Sequence, residues 1–159
     1  MKKSEAEKIA EAEQAGLAGL ILDAQPKLLG GIEGSEPFLD SVRVFARAMG
    51  VLSVPLCVTE QVPDKLGPTD ERILEACAGS PVFSKDSFSA FGCPDFDKWI
   101  GEGGVDHLLL TGIETPICVY LTAVDALRRG LTVTVLTDCV SCRRPEDGKW
   151  ALRKLENLG

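Results

Sequence analysis

The sequence lacks the features that mark membrane, secreted and nucleic-acid-binding proteins. No eighteen apolar residues run together, so no segment has the character of a membrane-spanning helix. The N-terminal stretch MKKSEAEKIAEAEQ alternates charges and lacks the apolar core of a signal peptide. Lysine and arginine form no cluster and the net charge is −7, which disfavours nucleic acid and anionic membranes as partners. We therefore expect a soluble, cytoplasmic protein that binds a small-molecule substrate or another protein.

Length and composition are those of a single globular domain. The 159 residues can bury one hydrophobic core, and 45% hydrophobic with 26% charged residues is the ordinary globular range. Internal repeats, low-complexity tracts and long linkers are absent from the sequence. We predict one domain over residues 1–159, with residues 1–15 as a polar N-terminal extension. The six cysteines are expected to be mostly reduced thiols in the cytoplasm.

Short apolar segments alternate with longer helical patterns along the chain. This order predicts parallel βαβ units, and the nearly continuous apolar character of the strands predicts helices on both faces of the sheet. The predicted fold is an α/β three-layer sandwich with a mainly parallel central sheet. The predicted strands are 16–23, 52–60, 81–85, 106–112 and 131–138. The predicted helices are 35–50, with Ser35 as N-cap and Gly50 as stop signal, 68–79, 94–104, 115–130 and one from about Pro145.

Polar residues follow the ends of the predicted strands. Asp23 ends the first strand, Thr59-Glu60-Gln61 follows the second, and Lys85 ends the third. The turn Gly112–Cys118 follows the fourth. In an open parallel sheet, ligands bind at the carboxyl ends of the strands. Each residue alone could be a solvated or capping residue, but an acid, a cation and a thiol at one edge together predict a functional site.

The predicted helix after the fourth strand places Cys118 in its first turn. Thr115 is a good N-cap, Pro116 suits the first helical position, and Gly130 is a stop signal. Cys118 would then lie at the positive end of the helix dipole, which lowers a thiol pKa and favours the thiolate. The alternative is that Cys118 is a small core residue in a first turn.

Four segments at the strand ends carry a resemblance to a known family. They are ILDAQ (21–25), VTEQVPDKLGPT (58–69), VFSKDSFSAF (82–91) and GIETPICVYLTAVDALRRGLTVTVLTDCVSCR (112–143). Together they resemble the isochorismatase-like cysteine hydrolases, from about residue 17 to residue 150. The most similar subgroup is the small isochorismatase-domain proteins with a T-E-Q motif after strand two. The resemblance implies the Rossmann-like, isochorismatase-like hydrolase fold and a homo-oligomer, either a dimer or a tetramer.

The resemblance implies a catalytic triad of Asp23, Lys85 and Cys118. Cys118 would attack the carbonyl carbon of a small amide, and a thioester would form as the amine leaves. Asp23 would take the thiol proton, pass it to the leaving nitrogen and then activate water. Lys85 would hold the thiolate and the carboxylate in register through its charge. The implied activity is hydrolysis of a C–N bond, or of a related carbonyl compound, without a cofactor.

The resemblance also implies an oxyanion hole and a pocket wall. The family has a non-proline cis peptide after the turn glycine, here Ile113–Glu114, which aims the backbone N–H of Glu114, with that of Cys118, at the oxyanion. The candidates for substrate binding are Gln25, Gln61, Phe88 and Phe91. For the two phenylalanines, core packing is an equal alternative.

This chain departs from the family pattern in two places. Pro116 stands where the family often has a histidine, two residues before the cysteine, which should change the pocket wall and leave the triad. Relatives usually continue beyond LRKLENLG into a further short strand and helix. Either this chain is a trimmed member or part of the protein is absent, so the sixth strand stays open.

Other activities of the superfamily fit the sequence less well. Nicotinamidases bind a metal through an aspartate and histidines after strand two, where this chain has TEQVPDKLGP and no histidine. The single histidine, His107, begins strand four at the opposite end of the sheet, so no metal site is expected. True isochorismatases cleave a vinyl ether and lack the nucleophilic cysteine, so Cys118 favours a carbonyl substrate. A non-catalytic binding or scaffold protein and a hydrolase of an isochorismate-like vinyl ether remain the alternatives.

Cys139 and Cys142 form a C-x-x-C pair after the fifth strand. A zinc ribbon needs a second pair, and thioredoxin-like motifs open a helix. We interpret the two cysteines as small residues in a family position that takes small side chains, with redox sensitivity as the alternative.

Overall fold

A sheet of five parallel strands forms the centre of the computed structural model, which describes residues 16–158. The predicted polar extension over residues 1–15 therefore lies outside the described residues. The strands are β1 (Leu17–Leu22), β2 (Leu56–Gln61), β3 (Val82–Lys85), β4 (His107–Ile113) and β5 (Thr132–Ser141). Their order across the sheet is β3-β2-β1-β4-β5, so β1 lies in the middle.

Helices cover both faces of this sheet. They are α1 (Pro26–Leu29), α2 (Ser35–Val51), α3 (Pro63–Leu66), α4 (Glu71–Ala76), α5 (Pro94–Glu102), α6 (Tyr120–Arg128) and α7 (Pro145–Glu156). A 3-10 turn lies at Ala90–Gly92 and a π-helical turn at Thr115–Val119. One core joins α2 and α4 to the sheet, and a second core joins α5, α6 and α7 to it. The predicted three-layer α/β sandwich is therefore confirmed.

The packing of strand β1 explains why the sequences of the strands are almost continuously apolar. Ile21 packs in the core under α2, whereas Leu20 and Leu22 pack in the core under α5 and α6. Successive side chains of a strand point to opposite faces, and here both faces are buried. A strand covered on both sides has no position that tolerates a solvated side chain.

Helix α2 begins and ends differently from the prediction. Gly34 is its N-cap, with a left-handed φ of 68°, and Ser35 is already helical. The helix also continues through Gly50 to Val51. Met49 is buried in the core beside the sheet, so tertiary packing maintains the last turn against the low helix propensity of glycine.

Strand β5 is longer than predicted because it contains a bulge. Leu110 pairs with Val135, but Gly112 pairs with Val140, so β5 carries extra residues between these two pairs. Beyond the bulge the strand continues to Ser141, which pairs with the last residue of β4.

The strand register brings four carboxyl ends to one edge of the sheet. The residue before Asp23 pairs with Thr59 on one side and with Gly112 on the other. Gln61, at the end of β2, pairs with Lys85 at the end of β3. The polar residues that follow separate strands in the sequence therefore face one another. Across residues 16–158, no helix combines the length and apolar character needed to cross a membrane.

Candidate active site

A buried ion pair lies at the carboxyl ends of β1 and β3. Lys85 Nζ is 2.7 Å from Asp23 Oδ2, and neither side chain is exposed to solvent. Asp23 adopts a left-handed backbone, with φ of 53°, directly after β1. Its backbone N–H donates to the carbonyl oxygen of Thr59 at 3.0 Å, which fixes the position of the carboxylate relative to β2.

The Lys85 ammonium is held by acceptors from three further residues. It donates to Gln61 Oε1 at 2.6 Å and to the carbonyl oxygens of Ser87 and Phe88 at 3.0 and 3.2 Å. Cys118 Sγ lies 3.9 Å from the same nitrogen. The acid, the cation and the thiol that the sequence singled out thus lie together, with Lys85 in contact with the other two.

Each residue of the T-E-Q segment makes a different contact near this ion pair. Thr59 Oγ1 donates to Asp23 Oδ1 at 2.8 Å. Glu60 accepts a hydrogen bond from the backbone N–H of Thr69 at 2.7 Å, and so ties β2 to the loop before α4. Gln61 accepts from Lys85. The segment lies at the site as predicted from the sequence, but the role of the Thr59 hydroxyl was not predicted. The signal for it was a threonine at the end of the strand that follows the strand ending at Asp23.

Gln25 bridges two loops and does not line a pocket. Its side chain is buried, and its Oε1 accepts from the backbone N–H of Gln61 at 2.8 Å. Its Nε2 donates to the carbonyl oxygens of Gln61 at 3.0 Å and Gly67 at 2.6 Å. These backbone groups use both ends of the amide, so the structure gives Gln25 a role in joining loops, and its predicted contact with substrate stays a prediction. Gln25 holds the backbone of Gln61, the residue whose side chain accepts a hydrogen bond from Lys85.

The two phenylalanines differ in position. Phe88 is 58% exposed, and its carbonyl oxygen contacts Lys85, so this residue lies at the mouth of the site. Phe91 is buried against Phe96, with ring centroids 5.1 Å apart, and the Arg129 guanidinium lies over its ring at 4.3 Å. The structure places Phe91 in the core, which fits the core-packing alternative.

Cys118 lies in the π-helical turn that precedes α6. Glu114 is the N-cap of this turn, and Thr115 Oγ1 donates instead to the carbonyl oxygen of Ser141 at 3.1 Å. The prediction that Thr115 caps the helix is wrong, because the β5 bulge brings the Ser141 acceptor to its hydroxyl. Cys118 itself is buried.

Burial raises the pKa of the Cys118 thiol to about 12. The negative charge of Asp23 raises this pKa further, whereas the charge of Lys85 and the backbone N–H of Glu114 lower it. The expectation of a lowered thiol pKa is therefore wrong for the resting site, because loss of hydration outweighs the helix terminus. The arrangement is a protonated thiol beside a carboxylate that can accept its proton.

Gly112 is required where the chain leaves β4. Its φ is 111°, and a Cβ at this position would lie 2.1 Å from the carbonyl oxygen of Leu22. Any other residue would collide with the backbone of β1. The peptide bond one residue later, Ile113–Glu114, is cis, as the family resemblance implies.

Cys139 and Cys142 pack in different places. Cys139 belongs to the core under α2, and burial raises the pKa of its thiol to about 12. The Cys142 thiol donates to the carbonyl oxygen of Arg144 at 3.2 Å and lies close to Gly148 of α7. Both thiols are buried, which fits their interpretation as small packing residues.

The single histidine lies away from the ion pair. His107 begins β4, at the amino ends of the strands, and its Nε2 is 2.8 Å from Thr134 Oγ1. Within the described range 16–158, no three His, Cys, Asp or Glu side chains are grouped so that they could hold a metal ion.

Comparison with known proteins identifies the family. The isochorismatase domain family model matches residues 18–159. Isochorismatase domain-containing protein 2A of Mus musculus is 38% identical over 126 residues, which are 77% of this chain and 59% of that protein. This chain thus spans 59% of the length of that curated relative.

Solved structures share the fold. A structure described as MAR1 ribonuclease from Caenorhabditis elegans has a TM-score of 0.86 and 33% identity, covering 92% of this chain and 75% of that chain. The ycaC gene product of Escherichia coli is described as an octameric hydrolase of unknown specificity. It has a TM-score of 0.86 and 21% identity, and the match covers 92% of this chain and 74% of that chain. At this level of identity the likeness shows the fold alone. From the family match and the relatives, the chain belongs to the isochorismatase domain family.

Proposed function

We propose that this chain is a cysteine hydrolase that cleaves a small amide, or a related carbonyl compound, through a thioester on Cys118 and without a metal. One observation carries the proposal. A single buried ammonium, Lys85 Nζ, contacts the Asp23 carboxylate at 2.7 Å and the Cys118 sulfur at 3.9 Å. A base and a nucleophile that both contact one cation are the groups that acyl transfer to a thiol requires.

The first half-reaction would use Asp23 as proton carrier. The Cys118 sulfur attacks the carbonyl carbon while its proton moves to the Asp23 carboxylate. Asp23 then gives this proton to the leaving nitrogen, the C–N bond breaks, and the amine leaves behind a thioester. The raised pKa of the Cys118 thiol fits this sequence, because the thiol keeps its proton until the substrate is attacked.

Lys85 would stabilise the charge that develops on sulfur. When the thiol proton has moved to Asp23, the negative charge on Cys118 Sγ faces an ammonium that is already in place. Gln61 and the carbonyl oxygens of Ser87 and Phe88 hold this ammonium before the reaction starts. Little reorganisation is then needed as the charge forms.

The second half-reaction would release the acid. Asp23, again ionised, takes a proton from water as the water attacks the thioester carbonyl. The C–S bond then breaks, and Asp23 returns this proton to the departing sulfur to restore the thiol. In both halves the carbonyl oxygen becomes negatively charged. The backbone N–H groups of Glu114 and Cys118 are the proposed donors to it, since Glu114 is the N-cap of the π-helical turn that contains Cys118.

The competing functions can be weighed against the same features. The Caenorhabditis elegans relative is described as a ribonuclease. For this chain, a net charge of −7 and a buried triad disfavour a polyanionic substrate. A non-catalytic binding protein would have no use for a buried carboxylate, ammonium and thiol in contact, because burying charges costs free energy.

The test is a screen of small amides and carbamoyl compounds with chelator-treated protein, with release of ammonia or amine as the readout. Turnover that Cys118→Ala abolishes, and that added metal does not raise, supports the proposal. A parallel assay with RNA distinguishes the ribonuclease alternative. Turnover retained by Cys118→Ala, or cleavage of RNA alone, would contradict the cysteine amidase.

Assembly into a homo-oligomer, a dimer or a tetramer, is part of the same proposal. It follows from what the family resemblance implies, and the isochorismatase domain family model matches residues 18–159. Light scattering coupled to gel filtration would test it, and a monomer at micromolar concentration would contradict it.

A further inference from the structure

Arg143, in the connection between β5 and α7, forms an ion pair and hydrogen bonds with the side chain of Glu114. Its Nε donates to Glu114 Oε1 at 2.7 Å, and its Nη2 contacts the same oxygen. Its backbone N–H donates to Glu114 Oε2 at 3.2 Å. One residue therefore engages both oxygens of the Glu114 carboxylate, which fixes the direction of the side chain as well as its place.

The location of the Arg143–Glu114 ion pair indicates its role better than its contribution to stability does. The Glu114 side chain is 12% exposed and that of Arg143 is 57% exposed, and ion pairs near the surface contribute little to stability. Glu114, however, is the N-cap of the π-helical turn that contains Cys118, and its backbone N–H is one of the two proposed donors to the oxyanion. The Arg143 stem is itself supported, because its Cδ packs against Gly31 in the turn after α1.

We propose that Arg143 is a positioning residue that holds Glu114 so that its backbone N–H points at the developing oxyanion. This inference rests on the proposed function. Gly112, two residues before Glu114, packs closely on β1, and the π-helical turn begins directly after Glu114. Arg143 ties the Glu114 carboxylate to the connection between β5 and α7, so this residue is restrained through its side chain as well as along the chain. Donors to an oxyanion contribute only when they are correctly placed in advance.

The next residue provides a matched control. Arg144 lines the same groove as Arg143, a cavity of 510 Å³ bounded by Glu114, Pro116, Ile117 and Asp147. Arg144 is 82% exposed, and within residues 16–158 its ion-pair partner is Asp147, with Nε 3.3 Å from Oδ2. Removing either arginine changes the charge of the groove by the same amount, but only removal of Arg143 releases Glu114.

Two reactions of Cys118 separate positioning from a general loss of structure. With p-nitrophenyl acetate, the sulfur attacks a carbonyl carbon, a C–S bond forms, the bond to p-nitrophenolate breaks, and the thiol proton goes to Asp23. An oxyanion forms on the way. With iodoacetamide, the sulfur displaces iodide from a saturated carbon, so no oxyanion forms. Only the first reaction places an oxyanion before the Glu114 N–H, and any effect of this N–H on the thiol itself is common to both reactions and cancels in the ratio of their rates.

The experiment measures both rates in the whole chain by stopped-flow absorbance and by mass spectrometry. Arg143→Gln should lower the rate of ester acylation, relative to alkylation, by about tenfold or more, since small misplacement of a catalytic group has effects of this size. Arg144→Gln should leave the ratio unchanged. Arg143→Lys should restore part of it. Glu114→Gln should act like Arg143→Gln, and the two changes should not be additive.

An unchanged ratio in Arg143→Gln, or an equal fall in both rates, would overturn the positioning role. If Arg143→Gln does not fold, Glu114→Gln gives the same test. Failure of the proposed function would appear separately, as ester acylation that proceeds equally well in Cys118→Ala.

Discussion

Lys85 and Asp23 face each other across 2.7 Å, with both side chains closed off from solvent. Neither charge has water to solvate it, so each depends on the other. Lys85→Met should therefore lower the free energy of unfolding by about 3–5 kcal/mol, because it leaves the carboxylate buried and unpaired. Urea denaturation followed by circular dichroism measures this change.

The double variant Asp23→Asn/Lys85→Met is the control for that prediction. It buries no charge, so it should be more stable than Lys85→Met alone. If the single variant loses less than about 1 kcal/mol, water reaches the carboxylate and the pair resembles an exposed one.

Asp23→Asn should make Cys118 easier to alkylate while abolishing turnover. The charge of Asp23 is, after burial, the next cause that raises the pKa of the Cys118 thiol, and Lys85 lowers it. Removing the carboxylate lowers the thiol pKa, so more thiolate is present at neutral pH and iodoacetamide reacts faster. Turnover is lost because the proton acceptor is gone.

The measurement is the rate of Cys118 labelling against pH, read by mass spectrometry. In the parent protein the rate should still rise well above pH 9, since the pKa of the thiol is raised to about 12. In Asp23→Asn the rise should come at lower pH. The buried thiols of Cys57 and Cys139 serve as internal controls for unfolding. Slower labelling in the variant would show that Asp23 does not act on the thiol as a charge.

Thr59→Val should lower turnover. The Thr59 hydroxyl donates to Asp23 Oδ1 at 2.8 Å and so orients the carboxylate that would accept the thiol proton. Without this donor the carboxylate is less well placed, so kcat/KM should fall by about tenfold. Thr59→Ser keeps the donor and should retain the parent kcat/KM. An unchanged kcat/KM in Thr59→Val would mean that the hydroxyl does not position Asp23.

Gly112→Ala should disrupt both the fold and the site. The added Cβ would lie 2.1 Å from the Leu22 carbonyl oxygen, at a φ that alanine rarely adopts. We expect a loss of about 3 kcal/mol or more, the range of severe backbone and overpacking effects. Gly101→Ala, in helix α5 with open space around its Cβ, should instead stabilise by up to about 1 kcal/mol. Thermal melting of both variants gives the comparison, and a small effect of Gly112→Ala would mean that β1 and β4 can separate.

Sequence reasoning placed the main groups of the site because the rule it used concerns topology. Asp23, Lys85 and the turn before Cys118 each follow a strand, and parallel strands end at one edge, so their meeting needs no knowledge of side-chain conformation. The three-layer fold was predictable for a similar reason, since the apolar runs alternate with amphipathic helices.

The features of the site that were not predicted from the sequence depend on tertiary contacts. Gln25 lies two residues after Asp23, whose backbone is left-handed, and its amide contacts the end of β2. The capping rule predicts that the Thr115 side chain bonds to a nearby backbone group of its own helix, but in the structure its hydroxyl donates to the carbonyl oxygen of Ser141 on β5. The helix-terminus rule gave Cys118 a lowered pKa, but burial, which no local pattern measures, has the opposite and larger effect.

The central place of β1 has a consequence for how the protein is made. Of the described strands β1 is synthesised first, yet its neighbours on both edges, β2 and β4, emerge later, and β4 much later. Pairing between distant parallel strands is slow, and open apolar edges favour aggregation. The nascent chain therefore carries an apolar strand without its partners for much of translation, and Asp23 stays hydrated until β3 supplies Lys85. Cells that express this protein under stress should depend on chaperones that bind its N-terminal half.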